Sequence, residues 1–303
     1  MPKLKVVRIE PASKCNLACS HCPTGTVEMT RDIMSDIIFE KVLENLSKYK
    51  DEVEVVVLYH GGEPLLNKSI CQMITAIKSI KPFFIKMVSN AMLLSQSKCE
   101  SLLSTPLDVI EFSLDGLNKS ENQQIRVNSS SSRVINNITH FLTKKEELRH
   151  PIRVAISTTQ FLDSEKFRDF QRNSEIQPEV PTWLKEIFED KVDEFKPTYA
   201  MVWPHMNVSE EYTVWEVDGT DSVECDHIEH TLTIRADGTI VPCCYDLTSK
   251  LPMGNILTDD IKELFTGSKY QYLRELIMNK NYPDLCANFN VVRPRKYLVP
   301  RWR

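Results

Sequence analysis

Short apolar runs alternate with longer amphipathic segments along the chain as far as about residue 206. Six runs rich in β-branched residues predict strands at Leu4–Ile9, Val53–Tyr59, Phe84–Val88, Val109–Ser113, Ile152–Ser157 and Tyr199–Trp203. Between them, apolar residues recur about every 3.6 positions and predict helices at Asp36–Lys48, Lys68–Ile80, Ser95–Leu103, Ser132–Leu148 and Thr182–Phe195. Such alternation is typical of a parallel sheet with right-handed crossovers. We therefore expect an α/β fold built around a partial (β/α)6 TIM-like barrel, open on one side.

The pattern changes after this region. A polar stretch, Asn207 to Glu224, leads into Thr231–Val241, where two short strands flank an Ala-Asp-Gly turn. One further helix is predicted at Asp259–Asn279. This region holds four of the nine cysteines, so it is interpreted as a small α+β metal-binding extension. We therefore predict two domains, residues 1–206 and residues 207–303.

Composition and charge argue against a nucleic-acid-binding, membrane or disulfide-rich secreted protein. Charged residues make up 26% of the 303 residues and the formal net charge is −5, which gives no electrostatic case for a nucleic-acid partner. No apolar run approaches the ~20 residues that span a bilayer, so no membrane partner is expected. Nine cysteines without a secretory signal favour metal ligation over disulfides. We expect a cytoplasmic protein.

Three cysteines in the loop after the first strand carry the main chemical signal. Cys15, Cys19 and Cys22 have the spacing C-x₃-C-x₂-C within the segment Lys14–Pro23. Three thiolates this close converge on one metal centre, and three rather than four leaves one position open. A zinc site usually has four ligands in pairs, and the nearby His21 would be strained as the fourth. The spacing favours an iron–sulfur cluster, with zinc as the alternative.

The triplet resembles the signature of radical S-adenosylmethionine (radical SAM) enzymes. The resemblance implies that Cys15, Cys19 and Cys22 hold a [4Fe–4S] cluster whose fourth iron is chelated by the amino and carboxylate groups of SAM. The residue before the third cysteine is often aromatic in this family and lies against adenine. Here it is His21, which still stacks but is smaller and titratable.

A second motif, His60-Gly-Gly-Glu-Pro64, follows the second predicted strand. Glycines at a strand end let the backbone approach a ligand closely, and carbonyl groups exposed there accept hydrogen bonds from an ammonium group. A plain turn is the alternative for a lone Gly-Gly-Glu-Pro. The segment resembles the GGEP motif of radical SAM enzymes, which binds the methionyl amine of SAM. The resemblance implies that role for Gly61, Gly62 and Glu63.

A third motif, Ser113-Leu-Asp-Gly116, follows the fourth predicted strand, and Arg126 lies downstream. A hydroxyl and a guanidinium are suitable partners for the SAM carboxylate and ribose. The radical SAM family shows a Ser-x-Asp-Gly segment and a downstream arginine in this place, and Ser113 and Arg126 match it. Ser157, at the end of the fifth predicted strand, is a further candidate for the ribose. The alternative for Asp115-Gly116 is a plain turn. The alternative for Arg126 is a surface residue, because the polar run Asn118–Ser132 is predicted to be a loop.

The C-terminal cysteines resemble the SPASM/twitch extension, which binds an auxiliary [4Fe–4S] cluster in many peptide- and sugar-modifying relatives. The resemblance implies Cys225, Cys243 and Cys286 as ligands. Cys244 is either a fourth ligand or a catalytic free thiol that donates a hydrogen atom. The extension usually closes with a further cysteine where this chain has Phe289. A structural zinc is the alternative for the site, and a small buried side chain is the alternative for Cys244.

The resemblance implies an enzyme that cleaves SAM reductively to a 5′-deoxyadenosyl radical and abstracts hydrogen from an unactivated C–H bond. We expect dehydrogenation of a small molecule such as a sugar or cyclitol, with electrons from a low-potential donor such as flavodoxin or ferredoxin. The alternatives are an epimerase that uses a cysteine thiol and a maturase of a ribosomal peptide. A non-catalytic zinc-binding protein is the hypothesis from a different class.

Overall fold

A computed structural model of the protein describes residues 2–163, 178–217, 224–287 and 295–302. Two features named in the sequence analysis lie outside the described residues: Phe289 and residues 218–223 of the polar stretch. Within the described ranges the strands form one large sheet and one small sheet.

Six parallel strands form the main part of the large sheet, and each pairs with the next one in the chain. They are β1 (Val6–Ile9), β2 (Val55–Leu58), β3 (Phe84–Ser89), β4 (Val109–Ser113), β5 (Arg153–Gln160) and β6 (Glu194–Tyr199). This confirms the predicted α/β fold with a partial (β/α)6 barrel. Because the strands are parallel, the loops that carry the motifs follow strand ends at the same edge of the barrel.

Helices alternate with these strands. They are α1 (Pro23–Thr26), α2 (Asp36–Lys48), α3 (Ile70–Ile80), α4 (Gln96–Leu103), α5 (Lys119–Ile125), α6 (Ser131–Glu147) and α7 (Thr182–Phe188), with a 3₁₀ turn at Pro64–Leu66. Three of the helices begin at a serine, because the hydroxyls of Ser35, Ser95 and Ser130 each accept a hydrogen bond from the backbone N–H three residues later. The apolar faces of most of these helices and strands share one large core, and Ile125 of α5 belongs to a second, smaller cluster.

The sixth strand–helix unit differs from its prediction. Helix α7 ends at Phe188 rather than at Phe195, and β6 begins at Glu194, so the predicted strand Tyr199–Trp203 is wrong. β6 is the last strand of the sheet and is only half-buried. A strand in that position tolerates charged residues and lacks the apolar run that marks a fully buried parallel strand.

The polar run between β4 and α6 is also not a loop. Helix α5 begins after Asn118, whose side chain accepts a hydrogen bond from the Glu121 N–H at 3.0 Å. Asn122 is buried, and its side chain donates to the Ser131 hydroxyl at 2.9 Å. Because these polar side chains bond one another inside the fold, a helix that looks fully exposed in the sequence is packed on one face, which Ile125 completes.

The C-terminal part extends the same large sheet. After β7 (Tyr212–Val217) and α8 (Asp226–His230), strand β8 (Thr231–Ile234) pairs in parallel with β1. Strand β9 (Thr239–Val241) returns antiparallel to β8, and β10 (Gly254–Asn255) follows at the edge. The predicted pair of strands is confirmed, with Gly238 in the turn at φ +86°. The hairpin therefore continues the barrel wall beyond β1.

The remaining elements are α9 (Ile261–Thr266), α10 (Ser268–Met278), α11 (Asp284–Ala287) and β11 (Arg295–Pro300), which pairs with β7 in the small sheet. The single predicted helix is thus two helices, because Gly267 has an extended backbone with ψ 176°. A Cβ at Gly267 would lie 2.7 Å from the Glu263 carbonyl oxygen, so only glycine fits this break. None of the helices in the described part of the chain is long and apolar enough to cross a membrane.

Candidate active site

The cysteine triplet lies in the loop between β1 and α1. Cys15, Cys19 and Cys22 all line one cavity of about 420 Å³ at the carboxyl ends of the strands. The loop turns tightly, because the Cys22 N–H donates to the Cys19 carbonyl at 3.2 Å and the Leu17 N–H points at the Cys15 sulfur at 3.4 Å. The structure therefore places the three predicted ligands around one space.

Helix α5 holds this loop from the far side. The Ala18 N–H donates to the Val127 carbonyl and the Ser20 N–H to the Ile125 carbonyl, both at 3.0 Å. The Ser20 hydroxyl also lies 2.5 Å from the Tyr212 hydroxyl of β7. These bonds hold Arg126, which lies between the two acceptor residues in sequence, beside the cysteines.

The Gly-Gly pair lies directly against the cysteine loop. A Cβ at Gly62 would lie 2.2 Å from the Ala12 carbonyl oxygen, and the Glu63 N–H donates to the Lys14 carbonyl at 2.9 Å. Gly61 is held on both sides, because its N–H donates to Glu10 at 2.8 Å and its carbonyl accepts from the Thr24 hydroxyl. The close approach explains why this strand end needs glycine.

The Glu63 side chain is buried and joins this loop to the end of β3. Its carboxylate accepts from the Leu65 N–H at 3.0 Å, the Ser89 hydroxyl at 2.9 Å and the Asn90 N–H at 2.8 Å. Burial raises the pKa of Glu63, and these hydrogen bonds oppose the rise. The Asn90 side chain in turn contacts the Cys15 sulfur at 3.8 Å. The carboxylate thus orients two neighbouring loops around the cavity.

An ion pair forms the opposite wall. The Arg126 Nη1 lies 2.6 Å from Asp115 Oδ2, and both side chains are buried. Burial alone would raise the pKa of Asp115, but Arg126, with His21 at 3.5 Å, lowers it. Burial lowers the pKa of His21, which keeps its ring neutral near pH 7. The Ser157 hydroxyl donates to the Ser113 hydroxyl at 3.2 Å on the same wall.

Sequence reasoning missed Glu10, which links three strand ends. This fully buried carboxylate accepts from the Gly61 N–H and from the Ala236 N–H at 3.1 Å, and Arg235 Nε lies 3.4 Å away. Burial alone would raise the pKa of Glu10, but His60 at 3.2 Å and Arg235 outweigh it and lower the pKa to about 2. The sequence offered one indication of this role, because Glu10 directly follows an apolar strand.

Sequence reasoning also missed a set of charges inside the barrel, which we call the charged layer: Arg8, Tyr59, Lys86, Glu111 and Lys196. The Lys86 ammonium lies 2.7 Å from Glu111 Oε2, and the Lys196 ammonium lies 3.2 Å from the same atom. Arg8, Lys86 and Glu111 are each the lone charged residue of an otherwise apolar strand, which is the signal that would have found them, and Lys196 lies in the half-buried strand β6.

The C-terminal cysteines gather away from the cavity. Cys225 precedes α8, Cys243 follows β9, and Cys286 lies in α11. Burial raises the pKa of Cys243, and the neighbouring thiols of Cys244, Cys286 and Cys225 raise it further. Burial likewise raises the pKa of Cys286 to about 12, and Cys225 adds to the rise. The thiols that influence one another's pKa here therefore come from three elements that are far apart in the chain.

Cys244 differs from its neighbour Cys243. Its sulfur lies 4.0 Å from His227 Nδ1. Burial raises the pKa of Cys244, and the Arg8 guanidinium opposes the rise. Cys244 is not among the described residues that line the cavity.

The residues around the cavity fit the cofactors that their motifs imply. Three thiols, a glycine backbone in close contact and a guanidinium face one space, and the buried Nδ1 of His21 has no hydrogen-bond partner in the described ranges. No three His, Cys, Asp or Glu side chains of the described residues converge closely enough for a single metal ion. Each cysteine of a cubane cluster binds a different iron, so the ligands surround the cluster rather than one point.

Comparison with known families agrees with this geometry. A model of the radical SAM superfamily matches residues 9–145, and a model of the SPASM iron–sulfur cluster-binding domain matches residues 225–288. A radical SAM domain takes a [4Fe–4S] cluster and SAM, and a SPASM domain takes auxiliary iron–sulfur clusters. The predicted cofactors are therefore confirmed.

Three known proteins illustrate how far the likeness extends. The tungsten-containing aldehyde ferredoxin oxidoreductase cofactor-modifying protein of Pyrococcus furiosus is 22% identical over 93% of this chain and 86% of its own length. SuiB of Streptococcus suis, bound to the precursor peptide SuiA, matches with a TM-score of 0.66 and 17% identity over 90% of this chain and 67% of SuiB. BtrN in complex with AdoMet and 2-DOIA matches with a TM-score of 0.57 and 17% identity over 95% and 94%. At these identities the solved structures show a shared fold.

Proposed function

The chain belongs to the radical SAM superfamily and carries a SPASM iron–sulfur cluster-binding domain, and on this premise we propose that it dehydrogenates a small molecule such as a sugar or cyclitol. When bound, the cofactors supply reductive cleavage of SAM to methionine and a 5′-deoxyadenosyl radical, which takes a hydrogen atom from substrate, and an auxiliary acceptor for the second electron. The second proton passes to water. The net change is the loss of two hydrogens from a C–H and an adjacent O–H group.

The chain's own residues divide this work between two regions, 1–206 and 207–303. In the first, Cys15, Cys19 and Cys22 hold the cluster that faces SAM. Gly61, Gly62 and Glu63 receive the methionyl amine, and Ser113, Arg126, Ser157 and His21 receive the carboxylate, ribose and adenine. Glu10 and Asp115 act through these groups, because they fix the backbone of Gly61 and the guanidinium of Arg126.

In the second region, Cys225, Cys243 and Cys286 hold the auxiliary cluster. The thiols of Cys225 and Cys286 both raise the pKa of Cys243, which supports this assignment. The match of the chain with BtrN, solved in complex with AdoMet and covering nearly the full length of both chains, supports SAM as the bound cofactor.

One observation carries the choice of dehydrogenation over epimerisation. Among the described residues that line the cavity, the only thiols are Cys15, Cys19 and Cys22. An epimerase needs a further thiol that faces the substrate radical, and Cys244, whose sulfur lies 4.0 Å from His227 Nδ1, is not among these lining residues. The substrate radical therefore loses an electron instead of regaining hydrogen.

Turnover in D₂O with candidate sugars and cyclitols tests this proposal. We expect a product two hydrogens lighter than the substrate, with no deuterium at carbon. Deuterium at carbon in a product of unchanged composition would show epimerisation instead. The variant Cys244→Ala distinguishes dehydrogenation from epimerisation further. If both clusters are retained, a dehydrogenase keeps its activity in this variant. An epimerase that depends on this thiol loses its activity.

Metal analysis after anaerobic purification tests the premise itself. Two cubane clusters require about eight irons per chain, and reduction in the presence of SAM should release 5′-deoxyadenosine. A colourless protein that contains zinc would instead support the non-catalytic hypothesis.

A further inference from the structure

The charged layer is continuous across the inside of the barrel. The Arg8 guanidinium lies over the Tyr59 ring, 4.8 Å from its centroid, and the Lys86 ammonium lies 6.0 Å from the same centroid. Lys86 and Lys196 then share one carboxylate oxygen of Glu111. The layer therefore contains three cations and one carboxylate, and two of the cations lie against a single aromatic ring.

The carboxylates around the cavity do not balance these cations. Glu10 is engaged by Arg235 and two backbone N–H groups, and Asp115 is engaged by Arg126. Glu63 is engaged by a hydroxyl and two backbone N–H groups. Glu194 touches Lys196 at 3.4 Å, but its side chain is 47% exposed at the start of β6, where water screens the charge. A net positive charge thus remains inside the barrel.

The layer also has unused donors. Arg8 is buried behind Tyr59 and does not itself line the cavity, and its Nε and Nη1 have no hydrogen-bond partner among the described residues. A buried polar group without a partner is costly, so such a group usually meets a ligand or an ordered water. Lys86 and Lys196 are 24% and 32% exposed and line the cavity, and each ammonium group has N–H donors beyond the one that contacts Glu111.

The position of the layer separates it from the groups assigned to SAM. Glu111 lies two residues before Ser113, so both side chains face the same side of β4 and Glu111 lies deeper in the barrel. Ser113 and Arg126 belong to the wall next to the cysteine loop. Tyr59, Lys86, Glu111 and Lys196 therefore form the floor of the same cavity, within reach of a molecule that fills the space beside SAM, and Arg8 lies behind Tyr59.

We propose that Lys86 and Lys196, with Arg8 behind Tyr59, bind an anionic oxygen group of the substrate, a carboxylate or a phosphate. The identification of this ligand as the substrate rests on the proposed function. The substrate is then a small molecule that presents an anionic group to the floor and its reacting C–H bond to the mouth of the cavity. Two ammonium groups around one anion fix its orientation more firmly than hydroxyl contacts alone.

Calorimetric titration of the reconstituted, SAM-bound protein with inorganic phosphate and, separately, with succinate tests this site without turnover. We expect one binding site per chain for at least one of these anions. The anion with the lower dissociation constant shows whether the site prefers a phosphate or a carboxylate. Lys86→Met and Lys196→Met should each weaken this binding about tenfold or more, because each removes a charged donor.

Lys145→Met is the matched control. Lys145 is 20% exposed and paired with Asp193 at 2.9 Å, so its burial and pairing resemble those of Lys86, but it lies outside the cavity. Its substitution should leave anion binding unchanged. Each variant must keep the circular dichroism spectrum and the cluster absorbance of the parent protein. If Lys86→Met does not keep them, anion binding by Lys196→Met alone tests the proposal.

Two results would overturn the proposal. The first is binding of neither anion, or equal binding in the lysine variants and in Lys145→Met. The second is loss of SAM binding in Lys86→Met and Lys196→Met, which would assign these lysines to SAM. Release of 5′-deoxyadenosine under reduction is measured separately, so a failure of the proposed radical chemistry is distinguishable from a failure of this site.

Discussion

The two cysteine sites of this protein are assembled in different ways. Cys15, Cys19 and Cys22 lie within one loop, and backbone hydrogen bonds to α5 and to the segment Gly61–Glu63 hold that loop. Cys225, Cys243 and Cys286 come from three elements that are far apart in the chain. A local loop brings its ligands together with little loss of chain entropy, whereas the distant site depends on the folding of the whole extension. The first loop is thus preformed by the barrel, and we expect the second set of cysteines to depend more on a bound metal for its assembly.

This difference predicts that the two sites fail separately. Cys15→Ala should reduce 5′-deoxyadenosine release about a thousandfold or more, because SAM then has no cluster to bind. Cys243→Ala should keep that release but lose the dehydrogenated product. Both variants should fall from about eight irons to about four. Liquid chromatography of both products, together with iron analysis, measures these effects.

Cys71→Ala is the control for this pair, since Cys71 lies in α3, away from the cavity. It should keep all the iron and both products. Loss of 5′-deoxyadenosine release in Cys243→Ala with its first cluster intact would show that the two sites are not independent.

The second prediction concerns the joint between the two regions. Glu10→Gln should lower the free energy of unfolding by about 3–5 kcal/mol, because Arg235 would remain buried without its counter-charge. Glu44→Gln is the control, since Glu44 pairs with Lys41 on the surface and should change stability by less than about 1 kcal/mol. Chemical denaturation of the two variants measures the difference, and equal stability would contradict a role for Glu10 in joining the regions.

The pH dependence of stability gives a sharper form of the same test. The pKa of Glu10 is lowered from an ordinary value of 4.5 to about 2 in the folded protein. The stabilisation by the ionised carboxylate is therefore fully present above about pH 4.5 and is lost as the pH falls towards 2. Between these values the parent protein should lose stability more steeply than Glu10→Gln. Parallel slopes would mean that other carboxylates dominate acid unfolding.

The smallest effect is expected at His21. Burial lowers the pKa of His21, so its ring is neutral near pH 7, and Asp115 keeps its partner Arg126 without it. His21→Phe should therefore change the dissociation constant of SAM by no more than about threefold, because an aromatic face is retained. Equilibrium dialysis with labelled SAM measures this. A change of tenfold would mean that the imidazole nitrogens contribute bonds that phenylalanine cannot replace.

The accuracy of the sequence-based predictions varied with the kind of signal. Strands β1 to β5 were found because buried parallel strands are apolar on both faces. Strand β6 and helix α5 were missed because their polar side chains bond one another inside the fold, as Lys196 with Glu111 and Asn122 with Ser131 show. The break between the two helices at Gly267 was missed because a glycine within an amphipathic pattern does not reveal its backbone conformation in the sequence.

The candidate site shows the same division. The residues in short motifs were identified because their spacing is itself the signal, and the structure places Cys15, Gly62, Ser113 and Arg126 around one cavity. Their roles towards SAM remain predictions. Glu10 and the charged layer were not identified, since each of these residues lies within a strand or directly after one without a motif around it, and only its partners across the sheet reveal its role.

The sequence by itself determined the class of chemistry, because ligand spacing within a loop and glycines at strand ends are local properties that survive without knowledge of the fold. Only the tertiary structure decided which charges are neutralised and which remain free, since Glu10 meets Arg235 and Glu111 meets two lysines through pairings between distant strands. It also brought Cys225, Cys243 and Cys286 together. Charge balance and metal assembly at these places depend on contacts that the linear order of residues does not contain.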